Sequence, residues 1–183
     1  GADVVLHSTT KYVGGERDLS AGMIRAIGNP RDRMQEDKLR LLRAVRFAAT
    51  LDFELDPFTA LAVREMAEQL PVVSPERILQ ELKRMLVHEH RSRGMRLTQE
   101  LGLLRMIFPE LDVPAESAAS LPATRWERAL RGLHLLQAPS FELATAALWQ
   151  ALPDSEDLVE TPQALGRRLT AVVKPASQER HSP

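Results

Sequence analysis

Asp37, Arg40, Arg43 and Arg46 fall at steps of three in the stretch Gln35 to Phe47, QEDKLRLLRAVRF. On a helix, consecutive members of such a series are neighbours. An aspartate held beside an arginine at a helix start offers one hydrogen-bond acceptor and one donor side by side. That couple fits the amino group and the ring nitrogen on the pairing edge of cytosine or adenine. Uracil and guanine present the reverse order, so Asp37 and Arg40 would accept C and A and reject U and G, because a mismatch leaves buried polar groups unpaired. The same residues also suit a plainer role, in which acids near a helix start and arginines further along complement the helix dipole and keep the face solvated.

The element that must position them is amphipathic. Leu41, Leu42, Val45, Ala48 and Ala49 lie on a separate arc at the 3.6-residue period and face a core. Asp37 borders that arc and the arginines curve away from it. Before this helix, Val4 to Leu6 read as a short strand, Gly14-Gly15 as a turn, and Arg25 to Pro30 as a segment ending in a Gly-Asn-Pro turn. After it, Asp56 and Pro57 open a helix running to about Leu70, and Ser74 and Pro75 repeat the signature for a helix running to about Glu89. A polar link, HRSRG, leads to a helix from about Met95 to Leu104. Residues 112–123 form a loop, and helices follow at about 124–136, 141–152 and 162–173. The fold class is all-α, a helical bundle or array with a short extended N-terminal arm. The organisation expected is an arm at 1–30, a helical neck at 31–111, a helical body at 112–174 and a disordered tail at 175–183.

The chain has 183 residues, of which 44% are hydrophobic and 27% charged, enough for a core of ordinary size. Its net charge of -1 argues against a generally basic nucleic-acid coat. The charge is uneven, however: Arg25 to Arg46 hold seven basic residues against three acids, which leaves room for a local phosphate patch. There is no cysteine, hence no disulfide framework, thiol nucleophile or thiolate metal site. No apolar run approaches membrane length, and a soluble cytoplasmic protein is expected. The chain starts with Gly in a strand-like segment, as a fragment would.

From about Tyr12 to Leu111 the sequence resembles the bacterial tRNA nucleotidyltransferase and poly(A) polymerase family. The resemblance is carried by YVGGERDLSAGMIRAIGNP, RMQEDKLRLLRAVRFAATLDFELD, VSPERILQEL and GLLRMIFPEL, in that order. Within it, Glu36, Asp37 and Arg40 match the family's base-selecting E-D-x-x-R. The resemblance implies that Asp37 and Arg40 form the amino-acid template for CTP and ATP, with Arg43 near the triphosphate. Glu76, Arg77, Glu81 and Leu82 match E-R-x-x-x-E-L, implied to brace the template helix. Asn29 stands where the family usually has Asp before Pro30, and Lys38 where a small residue or Pro is common. The partners implied are ATP, CTP and an RNA 3′ end such as that of tRNA. Magnesium is implied for the complete enzyme, but the paired carboxylates that hold it belong to a head domain not found in this sequence. No metal ligand is therefore assigned, and the expectation is a truncated form comprising the nucleotide-selecting neck and RNA-binding body. The alternative is a non-catalytic RNA- or nucleotide-binding helical module.

Residues 1–15, GADVVLHSTTKYVGG, resemble a different segment, the lysine region of pyridoxal-phosphate enzymes of the cystathionine synthase and lyase type. There Lys11 would be the Schiff-base lysine, with Ser8 and Thr10 at the phosphate. Fifteen residues cannot clamp a pyridine ring, so pyridoxal phosphate is not expected to bind. His88 and His90, two apart, are expected on different sides of a helix, and Trp126 and Trp149 in the core. The basic run Lys83, Arg84, His88, His90, Arg91, Arg93 and Arg96 is a candidate for RNA-backbone contact, with a solvated helix end as its plainer reading.

Overall fold

The computed structural model describes residues 4–7, 22–111 and 121–151, all within a compact unit spanning 1–152. The chain enters as a small three-stranded sheet. Strand β1 (Val4–His7) pairs antiparallel with β2 (Met23–Ala26), and β2 pairs parallel with the two-residue β3 (Glu54–Leu55). The strand expected at Val4 to Leu6 is thus present. The pairing of β2 with β3 was not anticipated, since it joins segments about thirty residues apart and neither has a strong alternating pattern.

The first helix, α1 (Pro30–Glu36), begins where the sequence suggested only a turn. The Asn29 side chain accepts a hydrogen bond from Arg31 N–H at 3.0 Å, and Pro30 occupies the first turn. Cap and proline together start a helix, so Gly-Asn-Pro here is a helix entry. The main helix, α2 (Leu39–Thr50), follows after a break at Asp37 and Lys38. A continuous helix from Gln35 to Phe47 is therefore corrected: Asp37 is extended, at φ -147° and ψ 110°.

Leu39, Leu41, Leu42, Ala44, Val45, Ala48 and Ala49 of α2 are all buried. The helix packs against α4 (Pro75–Leu86) and α5 (Arg91–Glu100), and carries β2 and β3 on another side. Between them lie α3 (Pro57–Met66) and a 3-10 segment, Ala67–Val72, that absorbs Pro71. Asp56 caps α3 as expected, accepting from Thr59 N–H and Oγ1. Ser74 has the backbone of a cap but its hydroxyl makes no capping bond. Helix α5 starts at Arg91, so most of HRSRG is helix rather than link. A short α6 (Leu104–Ile107) follows, then α7 (Leu121–Leu135) and α8 (Phe141–Trp149), which pack on each other and on α5 and α4. Trp126 is buried, and Trp149 lies partly buried against the same core. The helix expected at 162–173 and the tail fall outside the described residues. Among the described residues the protein is mostly helical, and no helix is long and apolar enough to cross a membrane.

Close approach of α2, α4 and α5 depends on Gly94. A Cβ added there would sit 2.5 Å from Met85 Sδ, 2.6 Å from Met85 Cγ and 3.2 Å from Ala49 Cβ. Met85 is fully buried and has little room to yield. Gly94→Ala is expected to lower stability by about 1–3 kcal/mol despite the better helix propensity of alanine. Urea unfolding checks this, and an unchanged or raised midpoint would show that α5 packs more loosely than described.

Candidate functional site

The break between α1 and α2 gives Asp37 its position. Its Oδ1 accepts from Leu39 N–H, the first residue of α2, at 3.1 Å, and its Oδ2 accepts from Arg77 Nη2 at 2.9 Å. Arg77 reaches it from the first turn of α4. Asp37 is 27% exposed, so its side chain is only partly closed off from solvent. Burial pushes the carboxyl up, but the Leu39 N–H, the Arg77 bond and charge and the Arg43 charge outweigh it, and its pKa lies below the ordinary value. Asp37 is therefore an ionised acceptor at neutral pH.

Arg40 turns the other way. Its Nη1 donates to the Arg33 carbonyl at 2.7 Å, near the C-terminal end of α1, and to Glu36. It is 15% exposed. Glu36 is exposed, also accepts from Arg33, and is held below its usual pKa chiefly by the Arg40 bond. The hydrogen bonds of Asp37 and Arg40 thus run to different partners, Asp37 to α4 and Arg40 to α1. The two residues meet through the backbone, where Arg40 N–H donates to the Asp37 carbonyl at 3.0 Å.

One turn further, Arg43 and Arg46 converge on Glu81 of α4. Arg43 Nε donates to Oε1 at 3.2 Å and Arg46 Nε to Oε2 at 2.6 Å. Arg84 adds a longer contact to Oε1, at 3.4 Å. Glu81 is 2% exposed, and the Arg46 guanidinium lies 4.0 Å from the Phe47 ring centroid. Of the three residues expected as braces, Arg77 touches Asp37 and Glu81 holds Arg43, while Glu76 is exposed in the first turn of α4. Arg33 is not singled out by the sequence reading, and Arg46 and Arg84, which are, have no link to Glu81 there. The spacings Arg33–Glu36–Arg40 and Glu81–Arg84, at three and four residues, are the signals that point to these contacts.

Several members of the basic run have partners within the fold. Arg91 is buried and donates to the carbonyls of Leu86, Leu133 and Leu136, tying α4 to the end of α7. Arg93 bonds Asp52, Glu54 and the carbonyls of Ala48 and Phe53. Arg96 makes a paired contact with Glu127 of α7, and Lys83 stands over the Phe141 ring at 5.4 Å. These cations stitch helices together. His88 and His90 lie in the turn between α4 and α5, and their ring centroids are 5.5 Å apart, so the expectation that they diverge on a helix is corrected. Lys11, Ser8 and Thr10 lie outside the described residues. Among the described residues no group of three or more His, Cys, Asp or Glu could hold a metal ion.

Residues 52–113 match the family model described as "Probable RNA and SrmB-binding site of polymerase A". Over 100 residues the chain is 40% identical to poly(A) polymerase I of Escherichia coli O6:H1, covering 55% of this chain and 22% of that protein. Over 112 residues it is 36% identical to a CCA-adding enzyme of Limosilactobacillus reuteri, covering 61% of this chain and 28% of the relative. A solved structure, the Bacillus stearothermophilus CCA-adding enzyme in complex with CTP, aligns with 82% of this chain and 42% of its own, at 27% identity and a TM-score of 0.45. The matched stretch thus amounts to between a fifth and a third of each curated relative's length. Over a little more than half of its length the chain is similar to poly(A) polymerase I and to CCA-adding enzymes.

The Asp37–Arg77 pair joins the α1–α2 break to α4. Its carboxyl pKa is lowered by folding, so the pair contributes stability above the unfolded carboxyl value of about 3.9 and loses it as pH falls through the lower folded value. Asp37→Asn and Arg77→Gln are each expected to cost up to about 1 kcal/mol at neutral pH, since both side chains are partly exposed. The double variant should cost little more than either single one. Unfolding curves at pH 7 and near pH 2 check this, and a coupling that persists unchanged at the acid end would rule out the carboxylate as its source.

Proposed function

We propose that this chain supplies the nucleotide-selecting and RNA-binding part of an RNA 3′-end nucleotidyltransferase, adding C or A to tRNA or A to other RNA ends in the cytoplasm. Asp37 and Arg40 choose the base, and Arg43 meets the triphosphate of CTP or ATP. The observation that carries the reading is the state of Asp37. It is ionised, fixed by Leu39 N–H and Arg77, and partly exposed, and a carboxylate oxygen can accept more than one donor, which is what an acceptor for an exocyclic amino group requires. Arg40 supplies the donor. In the free protein its bonds run to Glu36 and the Arg33 carbonyl, so base binding asks it to exchange the solvent-exposed Glu36 for the ring nitrogen, an exchange of one charge-assisted bond for another. Glu36 then acts as a place-holder for the nucleobase, Arg77 positions Asp37, and Glu81 positions Arg43.

Transfer of a nucleotide in this class of chemistry uses divalent metal ions to stabilise charge on the α-phosphate and to activate the attacking hydroxyl. The described residues do not make a metal site, so the transfer step is not assigned to them. A second reading is that the chain is a binding module that selects nucleotide or holds RNA without turning over, as the match of residues 52–113 to an RNA-binding family model also allows.

Incubating the chain with labelled CTP or ATP, magnesium and tRNA lacking its 3′ end separates the two. Incorporation supports the transferase, and Asp37→Ala should then reduce it at least about tenfold, because the selected base loses a buried partner. Binding of nucleotide or RNA without incorporation supports the module. Failure to bind either ligand would overturn both.

A further inference from the structure

We infer that the outward face of α3 is a stacking platform for an unpaired base of single-stranded RNA, with Phe58 as the ring that carries the base and arginines at the margins for the neighbouring phosphates. The inference rests on the RNA-binding part of the proposed function and shares no residue with the base-selecting group. Phe58 is 73% exposed and Leu61 41%. They stand three residues apart on the helix, and Glu65 follows four further on, so the three share one stripe. Pro57 is exposed beside Phe58. Ala26 N–H donates to Thr59 Oγ1 at 3.1 Å, which brings the exposed Ile27 to the same end of the helix. An exposed aromatic ring with apolar neighbours and a polar rim is the kind of surface that a ligand covers.

Guanidinium groups stand at both ends of this stripe, and the fold holds them there. At the start of α3, Arg25 Nε donates to Asp56 Oδ1 at 3.0 Å. Asp56 is buried and also accepts from Thr59, so the arginine is the solvent-facing member of that pair. Toward the end of α3, Arg31 of α1 donates to Glu65 through Nε at 2.7 Å and Nη2 at 2.9 Å. Arg64 is exposed one turn beyond Leu61. A protein partner would ask more of this face, because a stable interface buries roughly 800 Å2 on each side around an apolar centre. Phe58 and Leu61, hemmed by Arg25, Arg31, Arg64 and Glu65, do not supply such a centre. A stacked base needs one ring, and its phosphates need donors. Every nucleobase has a π-face, so the contact is indifferent to sequence, while guanidinium donors suit phosphate oxygens. The whole of α3 also lies within residues 52–113, the stretch that supports the RNA reading.

The test is equilibrium binding of two single-stranded RNAs to the full chain at low salt, an oligo(A) carrying one 2-aminopurine and an oligo(U), with CTP as a separate ligand. The wild type is compared with Phe58→Ala, Phe58→Leu, Phe58→Tyr and Arg64→Gln, and thermal melts confirm that each variant is folded. Phe58→Ala and Phe58→Leu are expected to weaken both RNAs at least about fivefold, and Phe58→Tyr to keep wild-type affinity. Emission from 2-aminopurine should be quenched on the wild type and on Phe58→Tyr but not on Phe58→Leu, a difference that apolar contact alone would not give. CTP affinity should be the same in all Phe58 variants. Arg64→Gln should lower the RNA salt slope by roughly 0.7, and an unchanged slope would take that arginine out of the site. RNA affinity equal in the wild type and Phe58→Ala, or in the wild type and Phe58→Leu, overturns the inference and leaves the RNA reading standing. A wild type that binds CTP but neither RNA removes the RNA reading and the platform with it. A chain that is dimeric by light scattering and becomes monomeric in Phe58→Ala would give the face to a second copy and overturn the RNA contact.

Discussion

Glu81 is a carboxylate almost wholly removed from water, in the middle of α4, and its two shorter hydrogen bonds come from α2. Burying a charge is costly unless it is paired and hydrogen-bonded, and removing one partner of such a pair is usually strongly destabilising. The relative setting of α2 and α4 is therefore tightly constrained at this point. A second tie, Asp37 to Arg77, lies toward the beginning of both helices. Between them the two contacts align the polar face of α2 along α4, while Leu41, Leu42 and Val45 hold its other face in the core.

Arginine serves two ends in this molecule. Around α5 it is mortar: Arg91, Arg93 and Arg96 satisfy carbonyls and carboxylates on other segments, and Arg91 does so while buried. The planar fork of the guanidinium, with five donors in fixed directions, suits that work better than a lysine would. Along α2 the arginines are shared between helix packing and an open face. There, Arg43 and Arg46 share the buried carboxylate of Glu81 with Arg84.

Much of this was legible in the sequence, and the parts that were not share a cause. The apolar arc of α2 follows the helical period, so the residues it predicted for the core are buried. The cap and proline at Asp56-Pro57 found α3 for the same local reason. The break at Asp37 is hidden because no glycine or proline marks it, only an aspartate that ends one helix and accepts from the first N–H of the next. Asn29-Pro30 carried the same entry signal as Asp56-Pro57 but was read as a turn beside Gly28. The partners of Arg91 and Arg93 lie about forty residues away in the chain, as does Glu81 from Arg43. Spacing rules see three or four residues along a helix and cannot see those. The motif residues Asp37, Arg77, Arg43 and Glu81 nevertheless meet in space, which the sequence order of the two motifs did not by itself require.

The functional account comes down to whether a partly exposed carboxylate and a nearby guanidinium tell one nucleobase from another. Each is already hydrogen-bonded, Asp37 to α4 and Arg40 to α1, so selection must survive the exchange of Arg40 from Glu36 to a base. Isothermal titration of the full chain with CTP and with UTP in one buffer measures this directly, because the two ligands differ at the pairing edge and share the sugar and triphosphate. The account predicts CTP binding tighter than UTP by at least about tenfold, or ~1.4 kcal/mol. Equal affinities would contradict it.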